Sequence, residues 1–115
     1  MNFNEYQKLA KKTDFHSPKK EKEVFGNLLA YPTFGITGEA GELADKIKKV
    51  FRDDGGKLFP KVKHDLVLEL GDILWYIAKM AGALGVSLDD VAKLNLKKIM
   101  SRQKRGVIKG SGDHR

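Results

Sequence analysis

Four carboxylates in two matched pairs, Glu39-Ala-Gly-Glu42 and Glu69-Leu-Gly-Asp72, are the residues of this chain best suited to chemistry. Each pair sets its acids at i and i+3, which share a face if the segment is helical. Two such helices packed antiparallel would aim four carboxylates at one spot. They would repel one another unless something positive lay between them. Mg²⁺ is the natural candidate, because it takes oxygen ligands and keeps part of its water shell for a phosphate-bearing substrate. A competing use exists for the acids: Lys46, Lys48 and Lys49 are placed to pair with them on a solvated helix surface. Asp45, three residues beyond Glu42, extends the acidic row.

The elements that would carry these pairs are all helical. Asn2 and Glu5 have capping-box spacing, and Phe3, Tyr6, Leu9 and Ala10 continue as a helical stripe to about Lys12. Ser17-Pro18 reads as a cap followed by proline in the first turn. The helix it opens is expected to turn Val24, Phe25, Leu28 and Leu29 inward and to break at Pro32 or its neighbours. Its charged run Lys19 to Glu23 also suits a mobile lid. The first strong helix is predicted from Thr33 to Phe51, with Leu43, Ile47, Val50 and Phe51 at helical spacing. Glycine costs ~1 kcal/mol inside a helix, so Gly35, Gly38 and Gly41 predict close approach of another helix or a ligand. Asp53-Asp54-Gly55-Gly56 turns the chain, and the second strong helix is predicted from about His64 to Leu84. Its buried stripe is Leu66, Leu70, Ile73, Leu74, Ile77, Ala81 and Leu84. Gly85 suits its end, and Ser87 to Asp90 opens a last helix with a less regular apolar face. With no strand signal, the fold class is all-α: an antiparallel bundle of about four to five helices.

Composition narrows the function classes. A chain of 115 residues, 41% apolar and 32% charged, suits one soluble domain spanning 1–115, with a glycine-rich, partly flexible tail from about 106. It has no cysteine, so thiol nucleophiles, thiolate metal sites and disulfides are excluded. No apolar run approaches the ~20 residues that cross a bilayer, and the N-terminus has no signal-peptide core, so the expected location is cytoplasmic. The net charge of +7 is concentrated from Lys97 to Arg115, a segment that alone carries +6. A basic end beside an acidic centre suits a metal-bound polyanionic ligand, and it also suits nucleic acid.

EAGELADKIKKV followed by ELGDILWYIAKMAGALGVSLDDVAKLN resembles the MazG-like, all-α nucleoside triphosphate pyrophosphohydrolases. The likeness runs from about Tyr31 to Arg105, and the tail RGVIKGSGDHR is similar to a subgroup. That family's E-x-x-E and E-x-x-D signature is matched by Glu39, Glu42, Glu69 and Asp72. The resemblance implies that these four bind Mg²⁺, with Mn²⁺ as a substitute, and that a nucleoside triphosphate is cleaved to monophosphate and pyrophosphate. It implies a house-cleaning role, and nucleotide contacts from the last helix, where Asn95, Lys98, Arg102 and Arg105 stand. It also favours a homodimer or homotetramer whose neighbouring subunit completes the bundle and the site. Metal ions held by carboxylates would neutralise the phosphates and acidify a bound water. The proton acceptor is expected to be Glu39 or Glu42.

Trp75 and Tyr76 could stack on a base but are better read as core, and His16, His64 and His114 lack metal-ligand spacing. Two rivals stand beside this reading. One is a non-catalytic basic module that holds nucleic acid through Lys97 to Arg115. The other is a dedicated pyrophosphohydrolase of the phosphoribosyl-ATP type.

Overall fold

Asn2 caps the first helix as its spacing predicts: its side chain accepts from the Glu5 N–H, and the Glu5 carboxylate takes the Asn2 N–H in return, both at 2.9 Å. The computed structural model describes residues 1–115 as five helices and no strand. They are α1 (Phe3–Lys11), α2 (Pro18–Phe25), α3 (Ala30–Asp53), α4 (Pro60–Ala83) and α5 (Leu88–Lys104).

The spine is the α3–α4 hairpin. Gly35 meets Tyr76 and Lys46 meets Glu69, so the two helices run antiparallel. α1 packs on α4, α5 packs on α1 and α4, and α2 touches only α3. No helix is long and apolar enough to cross a membrane.

Several boundaries differ from the sequence expectation, each for a physical reason. α2 ends at Gly26, whose φ of 73° is a left-handed cap, not at Pro32. Pro32 sits fully buried in the first turn of α3, where its missing N–H would have had no helical partner anyway. α3 has no side-chain cap of its own at Leu29. Instead the buried Glu21 of α2 accepts the free first-turn N–H of Tyr31 at 2.8 Å, a carboxylate placed at the positive end of a helix. α4 starts at Pro60, earlier than His64, again with proline in the first turn. At its end Gly85 takes φ 72° and the Val86 N–H returns to the Ala81 carbonyl.

The expected inward faces are only partly inward. Val24, Phe25, Leu70 and Leu84 are exposed, as are Leu94, Leu96 and Ile99 on α5. Only eight of the 115 residues are buried, and the chain exposes 8695 Å². A folded monomer of this mass is expected to expose about 6300 Å². The radius of gyration is 17.2 Å, against about 13 Å for a closed domain of this length. The apolar stripes are present in the sequence, but this fold leaves part of each uncovered.

Of the three helical glycines, only Gly35 meets a close approach. A Cβ there would come within 2.5 Å of Tyr76 Cγ, whereas Gly38 and Gly41 face open space. The tail also differs from a free end, because residues beyond Gly106 fold back on α5. The Arg102 guanidinium donates to the Gly112 and Asp113 carbonyls, and Arg115 donates to Val107, Ile108 and Gly112.

Candidate metal centre

The hairpin register carries Glu39 of α3 to Glu69 and Asp72 of α4. One carboxylate oxygen from each lies within 4.8 Å of the others. Glu42 is not in this group and is exposed. Residues three apart are offset by ~60° around the axis and ~4.5 Å along it, an offset that Glu69 and Asp72 accommodate and the pair on α3 does not. The Glu42 charge still reaches Glu39.

The centre is electrostatically unbalanced. Burial, followed by the charges of Glu42, Asp72 and Glu69, pushes the Glu39 carboxyl above its ordinary value. Glu69 is buried. Its Oε1 accepts from Lys46 Nζ at 2.6 Å, while its Oε2 is buried with no hydrogen-bond partner. A buried, unpaired carboxylate oxygen is costly. Three converging carboxylates, one of them with a buried oxygen left unpaired, fit a hard divalent cation such as Mg²⁺ or Mn²⁺.

The lysines anticipated as surface partners divide. Lys46 crosses to Glu69, and that pairing lifts its own pKa. Lys48 and Lys49 take Asp45, whose carboxyl they hold down at about 2. Asp45 is therefore a surface ion-pair residue.

An aromatic wall continues from the acids. Tyr76 lies near Glu39 and Asp72, and burial, then the neighbouring Tyr31 hydroxyl, raises its phenol. The Trp75 and Tyr76 rings meet edge to face at 4.9 Å between centroids, and Tyr31 stacks on His16 at 3.7 Å. His16 Nε2 lies 2.8 Å from Glu21 Oε2, and Lys79 pairs with Asp14. Sequence reasoning took His16 as structural or exposed, and it is structural. It missed the network around His16, and Ser17, read as a cap, makes no side-chain capping hydrogen bond.

The α5 candidates make no hydrogen bond or ion pair with the acids, and their cationic members turn to the tail and to α5 itself. Asn95 is exposed. Lys98 Nζ reaches Asp113 at 3.1 Å, and Arg105 bonds Ser101 and the Arg115 carbonyl. Arg102 is buried under the tail. Within one chain these four are not brought to the metal centre.

A family model, the MazG nucleotide pyrophosphohydrolase domain, matches residues 32–107. The chain is also 51% identical over 87 residues to the Gene 37 protein of Mycobacterium phage L5, an overlap covering 76% of each chain. No solved structure gives a significant match.

Proposed function

The chain belongs to the MazG nucleotide pyrophosphohydrolase family, and on that premise we propose that it hydrolyses nucleoside triphosphates to monophosphates and pyrophosphate with Mg²⁺. One observation carries this most directly: Glu39, Glu69 and Asp72 converge, and the buried Glu69 Oε2 has no partner. Mg²⁺ held there would neutralise phosphate oxygens and acidify a bound water. Mn²⁺ has the same preference for oxygen donors and would substitute.

The protein's residues do the rest. Glu39, Glu69 and Asp72 hold the cation. Lys46 holds one oxygen of Glu69 and leaves the other unpaired. Glu42, exposed at the edge of the cluster, is our choice for accepting the water's proton. Tyr76 and Gly35 set the helix separation on which the cluster depends.

The working unit in this reading is a homo-oligomer, a dimer or a dimer of dimers. The excess of exposed surface and the apolar faces of α3, α4 and α5 support it. Asn95, Lys98 and Arg105 would then reach the metal centre of a neighbouring copy, while Arg102 holds the tail that braces them. A house-cleaning role on ordinary or altered nucleotides is the physiological form of this proposal. The nucleic-acid module draws less support, because Arg102, Arg105 and Arg115 spend donors on the tail's own carbonyls.

The test is product identification over a panel of ribo- and deoxyribonucleoside triphosphates with Mg²⁺, alongside Glu69→Gln. Monophosphate and pyrophosphate, lost in the variant, are expected. Orthophosphate as the released product would mean that a different bond is cut. A folded, metal-supplied protein that turns over no triphosphate would end the reading.

A further inference from the structure

Glu21 is the least exposed charged side chain of the protein, and the metal chemistry does not use it. Both of its oxygens are committed: Oε1 accepts the Tyr31 N–H at 2.8 Å, and Oε2 lies 2.8 Å from His16 Nε2. Burial would raise its carboxyl, but the Tyr31 N–H and then His16 hold it below its ordinary value. We infer that Glu21 is a positioning residue for the carboxylate centre: it ties α2 and His16 to the start of α3 and so fixes where Glu39 meets Glu69 and Asp72. The inference rests on the proposed metal chemistry and adds to it how a helix remote from the acids governs their arrangement.

Two facing stripes carry the effect. Tyr31, Gly35 and Glu39 follow one another at four-residue intervals and share a face of α3. Asp72, Tyr76 and Lys79 share a face of α4 at intervals of four and three. The stripes meet at three levels: the Tyr31 ring lies 6.0 Å from that of Tyr76, Tyr76 lies against Gly35, and Glu39 joins Asp72. At ~1.5 Å per residue, Tyr31 stands ~12 Å from Glu39 along the axis. Glu21 therefore acts on the acids through these packed side chains and not by contact.

The source of the cap separates it from ordinary helix capping. A serine, threonine, aspartate or asparagine at position 29 would satisfy the first turn of α3 locally. The chain has Leu29 there, without a side-chain cap, and brings a carboxylate from α2 instead. Burying that carboxylate is costly unless it is paired. The result is a tie between elements. α2 packs on no helix but α3, where Phe25 also meets Phe34 edge to face at 5.8 Å. The clamp closes from the other side as well. The His16 ring stacks on Tyr31 at 3.7 Å, and Lys79, paired with Asp14, lies 5.3 Å over the same Tyr31 ring. Without Glu21 the Tyr31 N–H loses its partner, the first turn of α3 frays, and Tyr76 loses the neighbour that steadies its ring against Gly35.

The experiment follows two signals in the full-length protein at about pH 8: Mg²⁺ affinity by calorimetry, and hydrogen exchange of the amides from Tyr31 to Gly35 without metal. Glu21→Ala should weaken Mg²⁺ binding about tenfold, as loss of an outer support of a metal ligand does, and speed that exchange by about tenfold or more. Glu21→Gln keeps an acceptor for the Tyr31 N–H and a donor for an unprotonated imidazole, so both signals should stay within about threefold of wild type. Asn2→Ala removes the α1 cap, outside the two stripes, and should leave both signals within about twofold. Equal losses in Asn2→Ala would make the effect general loosening and overturn the inference. Faster exchange in Glu21→Ala with unchanged Mg²⁺ affinity overturns it too, and so does a Glu21→Gln variant as weak as Glu21→Ala. A wild-type protein that binds no Mg²⁺ removes the metal chemistry and the positioning role with it. If Glu21→Ala does not fold, His16→Ala takes its place, since it keeps the Tyr31 bond and loses the stack. That variant should weaken Mg²⁺ binding about threefold, and unchanged affinity in it overturns the inference.

Discussion

Gly35→Ala should destabilise this protein, although the same change elsewhere in α3 should not. In a helix interior, glycine to alanine gains ~1 kcal/mol of propensity. At Gly38 nothing lies within 4 Å of the new Cβ, so Gly38→Ala should keep most of that gain. At Gly35 the Cβ would meet the Tyr76 ring, within 2.5 Å of Cγ. Carbon atoms sit ~3.5 Å apart at contact, so ring or helix must retreat by about 1 Å. Overpacking of this kind costs about 1–3 kcal/mol. The net effect is a loss of up to roughly 2 kcal/mol, and the two variants should differ by about 1–3 kcal/mol. Urea denaturation measures this directly, and melting should separate them by roughly 10 °C. Gly35 and Tyr76 also set the α3–α4 spacing that brings Glu39 to Glu69, so Gly35→Ala should weaken Mg²⁺ binding. Tyr76→Ala should turn the Gly35→Ala penalty into a gain. Equal stability of Gly35→Ala and Gly38→Ala would refute the close-packing argument.

Removing Lys46 leaves the buried Glu69 with neither oxygen paired, so Lys46→Met should cost about 1–3 kcal/mol without metal and less in millimolar Mg²⁺; chemical denaturation in both conditions checks it. Glu39 has a raised folded-state pKa, so its ionisation opposes folding and metal-free stability is lost as pH rises past 4.5. Glu39→Gln should therefore be the more stable protein at pH 7 without Mg²⁺, the advantage fading as pH falls toward 4.5, and it should lose the stabilisation by Mg²⁺; a melting series across pH with and without the ion reads both. Sedimentation at micromolar concentration should show an assembly of two or more chains, and a monodisperse monomer would remove the shared-site part of the account.

Much of the carboxylate cluster was legible because i, i+3 spacing survives any packing. Glu39, Glu69 and Asp72 needed only two antiparallel helices to meet. Glu42 was harder, since spacing says which residues share a side of a helix but not which one points at the neighbour. The caps at Asn2 and Ser87 were readable as local chemistry: Ser87 Oγ accepts the Asp90 N–H at 3.0 Å. Pro32 was misread because a proline ends one helix or begins another by the same rule, and only Glu21, which accepts the N–H of Tyr31 from ten residues earlier in sequence, decides which. The contact of Gly35 with Tyr76 was signalled by glycine at an unfavourable place, yet Gly38 and Gly41 carried the same signal without the contact. Leu70, Leu84 and the α5 leucines were assigned inward by periodicity, which finds an apolar face but not the molecule that covers it. Arg102 was expected to contact the nucleotide, and no local pattern foretold that the tail would fold over it.

The central claim is that Glu39, Glu69 and Asp72 form a divalent-cation site that the fold leaves electrostatically incomplete. Calorimetric titration of Mg²⁺ into the wild-type protein and Glu69→Gln at pH 7 tests it most directly. The account predicts saturable binding to the wild type, a matching rise in melting temperature, and at least tenfold weaker binding to the variant. Indistinguishable titrations, or no heat and no stabilisation in the folded wild type, would contradict it.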